Sequence, residues 1–207
     1  MTKTLRRVTI GVMVTLDLAG AGQTASASQA EPLTIALWLR DTARVPDDVL
    51  AKAQAGVTLI YSQAGVEIVW LASASQAADL HGAREPRITI AILSEDQEKR
   101  LHPALARHGV GVALNSPTTR AHMAYVFYHG VERLTGGNGV HLAPVLAVAM
   151  AHEIGHLLLP YNLHSLTGLM RRNWVKADLR LAERGELFFT PAHGALIRRG
   201  LAGSRQQ

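Results

Sequence analysis

The chain has 207 residues, of which 48% are hydrophobic and 18% charged, and its formal net charge is +5. This length and composition predict one compact domain with a substantial core and exclude an intrinsically disordered chain. The charge excess is small and is not interleaved with aromatic side chains, which argues against nucleic acid as a partner. The sequence contains no cysteine, so disulfide bonds are excluded.

The N-terminus has the three parts of a secretory signal peptide, at 1–27. Lys3, Arg6 and Arg7 form a basic start, an apolar stretch follows, and a small-residue cleavage site lies at 25–27. We therefore expect residues 28–207 to form a single domain that is secreted or periplasmic. No second segment has the composition of a membrane span. We expect the mature protein to be a monomer.

Apolar patterning predicts strands and helices along the chain. A helix is predicted to begin at Pro46 and to end near Gly65, because Asp47 and Asp48 occupy its first turn and apolar residues then recur at helical spacing. A closing helix is predicted at 191–201. Strands are predicted at 33–40, 66–73, 88–94, 109–114 and 121–130.

A further helix is predicted at 142–159, after the glycine pair at 136–137. The segment is apolar almost all round, which is typical of a buried helix. Pro160 ends it, because the residue before a proline is disfavoured in the α conformation. Gly155 lowers the helix propensity of this segment by roughly 1 kcal/mol relative to alanine, so we expect another backbone segment to approach closely there.

This helix contains the motif HEIGH at 152–156, and His164 follows it beyond the predicted turn. Residues four apart lie on one face of a helix, so His152 and His156 can direct ring nitrogens at one point. Imidazole and carboxylate groups are costly to bury without partners, and a bound ion would account for them. The arrangement predicts one catalytic zinc ion held by these three histidines, with Glu153 beside it as general base.

Other interpretations remain open from the residues alone. His152 and His156 could be core histidines with hydrogen-bond partners. Glu183 or Glu186 could supply the third zinc ligand, in which case His164 would be an exposed loop residue. The chain could also be a zinc-binding module without turnover, which a closed site with four protein ligands would indicate.

The run HEIGHLLLPYNLHSLTGLM resembles the metzincin clan of zinc endopeptidases, and within it small bacterial matrixin-like proteins. That clan carries H-E-x-x-H-x-x-G-x-x-H, usually followed by serine and then by a turn containing methionine. The residues that match by type are His152, Glu153, His156, His164, Ser165 and Met170.

The chain departs from the clan pattern between the second and third histidines. Two additional residues separate His156 from His164, and Leu159 stands where the clan has glycine. By count the third-ligand position falls on Asn162. Because an amide oxygen is a poor zinc ligand, His164 is the preferred third ligand.

The resemblance implies an α+β, zincin-like fold with a mixed, twisted sheet of about five strands, a buried active-site helix, a methionine turn and a C-terminal helix. It implies that a zinc-activated water hydrolyses peptide bonds of a protein or peptide substrate, with Glu153 moving the proton. Met170 would lie beneath the metal, although a core methionine that only fills space is equally compatible with its position. An edge strand would bind extended substrate by β-augmentation, unless it is an ordinary sheet edge. By position its residues are Gly111, Val112, Ala113 and Leu114.

Overall fold

Among the described residues, all five strands precede residue 128 and four of the six helices follow them. The computed structural model describes residues 32–73, 86–101, 109–115, 122–160 and 163–204. The predicted signal peptide at 1–27 and the residue Asn162 therefore lie outside the described residues. The strands are β1 Thr34–Asp41, β2 Glu67–Leu71, β3 Arg87–Leu93, β4 Gly111–Asn115 and β5 His122–Phe127. The helices are α1 Asp47–Gln63, α2 Glu95–Leu101, α3 Tyr128–Gly136, α4 Leu142–Leu158, α5 Lys176–Glu183 and α6 Pro191–Ser204.

The five strands form one mixed sheet in the order β2-β1-β3-β5-β4. The first four are parallel, and β4 pairs antiparallel with β5 at one edge. Consecutive residues of β1 (Ile35, Ala36 and Leu37) are buried, as expected for a strand covered on both faces. The α+β class and the mixed sheet of five strands are confirmed.

The main core lies between the sheet and the helices α1 and α4. The two helices cross closely at Gly56, where a Cβ atom would stand 2.6 Å from Cβ of Ala147. The hydroxyl of Tyr61 donates a hydrogen bond of 3.1 Å to the carbonyl of Ala151. Helix α1 thus fixes the position of α4 relative to the sheet.

Helix α4 is buried on nearly every side, as its apolar composition predicts. Every residue from Val145 to His156 is buried. The helix ends at Leu158, and Leu159 is extended (φ −94°, ψ 144°) immediately before Pro160. The predicted end of the helix is confirmed to within one residue.

The prediction of a strand at 121–130 is wrong at its C-terminal end. Strand β5 ends at Phe127, and helix α3 begins at Tyr128. Helix α3 buries Val131 and Thr135, four residues apart, so packing at helical spacing overrides the strand propensity of the aromatic residues. The short helix α2 was also not predicted; its sequence, EDQEKRL, has one buried residue, Glu98, and no apolar stripe.

Within the described residues, no helix combines the length and the apolar content needed to cross a lipid bilayer.

Candidate metal centre

His152 and His156 converge on one point, as their spacing predicts. Their Nε2 atoms lie 3.0 Å apart, and their rings stand almost perpendicular, with centroids 4.6 Å apart. Two nitrogens bound to one tetrahedral zinc ion would lie about 3.3 Å apart, given the usual Zn–N distance. The two rings therefore need only a small adjustment to share an ion.

The carbonyl of Leu169 holds the ring of His152. Nδ1 of His152 lies 2.9 Å from this oxygen and donates to it, so Nε2 of the neutral ring carries no proton and can bind a metal. The indole nitrogen of Trp174 donates to the same oxygen at 3.1 Å. The Trp174 ring also contacts the His152 ring edge to face, with centroids 5.4 Å apart. One carbonyl thus orients both rings.

His164 completes the cluster in spite of the longer segment that precedes it. Its ring centroid lies 4.7 Å from that of His156 and 5.5 Å from that of His152. One ligand atom from each of the three histidines lies within 4.8 Å of the others. The three histidines are therefore close enough to bind a metal ion together.

Glu183 and Glu186 engage other partners and do not join the three-histidine cluster. The carboxylate of Glu183 lies 2.6 Å from Nδ1 of His141, and that of Glu186 pairs with Arg184 at 2.8 Å. The structure therefore gives no support to a glutamate as third ligand.

Burial keeps the histidine rings neutral in the metal-free protein. It lowers the pKa of His152 to about 4, and the nearby His164 lowers it further. For His156, burial together with His152 and His164 lowers the pKa to about 3. Burial also lowers the pKa of His164, with a second contribution from Arg172. Neutral imidazoles are the form that binds metal, so the cluster is ready for a cation at neutral pH.

A second observation also favours a bound metal ion. In the metal-free protein the unprotonated Nε2 of His152 accepts a hydrogen bond of 3.0 Å from Nε2 of His156, which leaves Nδ1 of His156 buried and without a hydrogen-bond partner among the described residues. Three neutral imidazoles with an open fourth side fit zinc, and they also fit other divalent transition metals. The geometry supports a metal site and leaves the identity of the ion to experiment.

Glu153 lies beside the cluster and is only 4% exposed. Burial raises the pKa of its carboxyl group from 4.5 to about 8. Gly111 packs directly against it: a Cβ at that position would stand 2.6 Å from Cγ of Glu153. The edge strand therefore covers the carboxyl group, which explains its burial.

A cleft of about 530 Å³ opens over the cluster and is bordered by the edge strand β4. Gly111, Val112 and Ala113 line it together with the three histidines and Glu153. Leu114, the fourth residue of the predicted substrate strand, is 47% exposed beyond the cleft lining. The structure thus brings the three histidines, the carboxyl group of Glu153 and most of that strand to one cleft.

Met170 lies in a turn beneath the helix that carries the motif, and it is fully buried. The backbone of Ser165 donates to the carbonyl of Met170 at 2.9 Å, which closes the turn. Gly168, with φ of +74°, provides a left-handed backbone within it.

Gly155 makes room for side chains rather than for another backbone segment. A Cβ there would stand 2.8 Å from Sδ of Met170 and 3.0 Å from Cε1 of Phe189. The expectation of a close backbone approach is therefore corrected.

No model of a known protein family matches the chain, and the curated proteins include no match.

Sequence reasoning did not find two features of this site. The carbonyl of Leu169 carries no signal in a side-chain pattern, because any residue supplies the same group. Asn173 lines the cleft, and only the position of the turn places it there.

Proposed function

We propose that this chain is an exported zinc-dependent endopeptidase that holds one catalytic zinc ion with His152, His156 and His164. The observation that carries the proposal is the convergence of three neutral imidazoles beside a buried carboxyl group, at the base of an open cleft. The described residues offer three ligands and no fourth, which favours a catalytic site over a closed structural one.

When bound, zinc would act as a Lewis acid on the scissile carbonyl and would make a water molecule acidic enough to attack it near neutral pH. Glu153 would take the proton of that water and deliver it to the leaving amine. Burial raises the pKa of Glu153 to about 8 in the metal-free protein, which suits the protonated carboxyl group that delivers the proton to the leaving amine. A cation nearby would lower that pKa and favour the base form at the start of the reaction.

The edge strand β4 is the proposed binding strand for substrate. One of its edges pairs with β5, and it stands last in the sheet order. An extended peptide could pair with the other edge and lie across the cleft, with its scissile bond above the histidines. The small residues Gly111 and Ala113 would permit close approach of the peptide backbone.

The test is the variant Glu153→Gln, purified with zinc. It should bind one zinc ion per chain, as the wild type does, while peptide hydrolysis falls below detection. Full activity in this variant would exclude Glu153 as the base. A wild-type protein that binds zinc tightly but cleaves no member of a peptide library would instead support the zinc-binding module without turnover.

The export proposal is tested separately. It rests on the basic start, the apolar stretch and the cleavage site at 1–27. Expression of the full chain in a bacterium should yield a shorter product outside the cytoplasm. An uncleaved cytoplasmic product would contradict it without touching the proposed chemistry.

A further inference from the structure

Two adjacent arginines after the methionine turn have different environments. Arg171 pairs with Asp178 at 3.2 Å, and Asp178 also accepts the backbone N–H of Val175 at 2.9 Å. Arg171 therefore fastens the turn to the start of helix α5. Arg172 lines the cleft, and within the described part of the chain it has no ion-pair partner.

The guanidinium of Arg172 lies near the histidine cluster. Burial is the main reason why the pKa of His164 is lowered, and the positive charge of Arg172 adds to it. It acts in the same direction on His156, after burial and the two neighbouring histidines. Arg172 and the three histidines line the same cleft, so the positive charge of Arg172 lies close to the place where a substrate would be cleaved.

The charges that line the cleft are unbalanced. Of the described residues around it, only Glu153 and Arg172 carry acidic or strongly basic side chains. Glu153 is 4% exposed and covered by Gly111, whereas Arg172 is exposed to solvent. Among the described residues of the cleft, Arg172 is the one accessible cation without an ion-pair partner.

We propose that Arg172 selects substrates by binding a carboxylate that lies close to the scissile bond. The proposal rests on the peptidase function proposed above and specifies its substrate class. A guanidinium recognises a carboxylate through two parallel N–H···O hydrogen bonds, which a neutral amide cannot reproduce. The carboxylate can come from an aspartate or glutamate side chain or from the C-terminus of a short peptide, and the experiment separates these sources.

The first arm measures cleavage. The zinc-loaded wild type is incubated with a peptide library in two forms, with free and with amidated C-termini, and cleavage sites are read by mass spectrometry. Peptides of the best cleaved sequences are then made in matched Glu and Gln versions. We expect kcat/KM to be about fivefold higher for the Glu version, the upper range for an exposed ion pair. If only the free C-termini confer the preference, the terminal carboxylate is the source.

The variants assign the preference to Arg172. Arg172→Ala should abolish it, and Arg172→Glu should favour Lys over Gln at the same position. Arg199→Ala is the matched control, because Arg199 is exposed on helix α6 and does not line the cleft. Zinc content is measured for each variant, so that a loss of metal is not mistaken for a loss of selectivity.

The second arm does not require turnover. Zinc-loaded Glu153→Gln protein is immobilised and incubated with the same library, and the retained peptides are sequenced. Carboxylate-bearing peptides should be enriched, and the enrichment should disappear in Glu153→Gln combined with Arg172→Ala. Enrichment without any cleavage by the wild type would overturn the peptidase proposal and, with it, substrate selection, and would leave Arg172 as a carboxylate-binding residue of the cleft. Enrichment that survives Arg172→Ala, or no preference in either arm, would overturn the role of Arg172.

Discussion

Gly111 of the edge strand lies directly against the side chain of Glu153. A Cβ atom at position 111 would stand 2.6 Å from Cγ and 2.8 Å from Cδ of Glu153, and 2.5 Å from the carbonyl oxygen of Tyr125. The strand proposed to bind substrate and the proposed base are therefore in contact. A substitution at Gly111 should therefore displace the side chain of Glu153.

The substitution Gly111→Ala should impair hydrolysis more than zinc binding. The new methyl group must displace Glu153 or the strand, and a shift of about 1 Å in a reacting group can cost roughly 100-fold in rate. We expect kcat/KM for a cleaved peptide to fall by at least about tenfold, with one zinc ion still bound. Gly203→Ala is the matched control, because a Cβ there meets no atom within 4 Å. Unchanged turnover in Gly111→Ala would mean that Glu153 does not need its present position.

The metal ligands are tested by removing one donor at a time. His152→Ala, His156→Ala and His164→Ala should each weaken zinc binding by at least about tenfold, because each removes one of three donors. Glu183→Gln and Glu186→Gln should bind zinc as the wild type does, since these carboxylates pair with His141 and Arg184. Affinity is measured by competition with a chelator of known zinc affinity. Weaker binding in either glutamate variant, with normal binding in His164→Ala, would restore the glutamate as third ligand.

The parts of the structure that depend on periodic burial could be predicted from the sequence. The bounds of α1 and the existence of all five strands follow from apolar spacing, and the bounds of α4 follow from a continuous apolar run that ends before Pro160. Helices α2 and α5 were not predicted. Helix α2 has one buried residue and no apolar stripe, and helix α5 buries Asp178, Leu179 and Ala182 on one face but is too short for this spacing to stand out in the sequence.

The candidate site also has parts that the sequence predicts and parts that depend on tertiary structure. His152 and His156 are four apart on one helix, so local geometry alone brings them together. The position of His164 depends on the segment after Pro160, whose course the sequence pattern does not specify. The pairing of Arg171 with Asp178 depends on where the turn meets α5, which is a tertiary property.

The buried carboxyl group makes the metal-free protein sensitive to alkaline pH. The pKa of Glu153 is raised from 4.5 to about 8, so the folded state binds its proton more tightly than the unfolded state does. Its contribution to stability is complete below pH 4.5 and is lost as the pH rises through about 8. Glu153→Gln removes this loss, because the amide stays neutral.

In chelator-treated protein, Glu153→Gln should therefore raise the melting temperature at about pH 9 by several degrees and change it little at about pH 5. The full shift corresponds to roughly 5 kcal/mol at most. The buried histidines titrate below neutral pH in both proteins, so the difference between the two melting curves isolates Glu153. If the melting temperatures of the two proteins change with pH in the same way, ionisation of Glu153 does not destabilise the folded protein.

The contact between Gly155 and Met170 can be tested by a double-mutant cycle. Gly155→Ala places a methyl group 2.8 Å from Sδ of Met170 and 3.0 Å from Phe189, so the free energy of unfolding should fall by about 1–3 kcal/mol. The fall should occur although alanine is the better helix former by roughly 1 kcal/mol. Met170→Ala alone should cost about 2–5 kcal/mol, because it leaves a cavity in the core.

The two changes together should cost less than the sum of the single changes, because the added methyl group occupies part of the space that Met170 vacates. We expect an interaction free energy of at least about 0.5 kcal/mol, measured by urea unfolding of the zinc-free proteins. Gly203→Ala combined with Met170→Ala serves as the control and should be additive, since no atom lies within 4 Å of a Cβ at position 203. Additivity in the Gly155 cycle would mean that the glycine is not required for the methionine to pack beneath the helix.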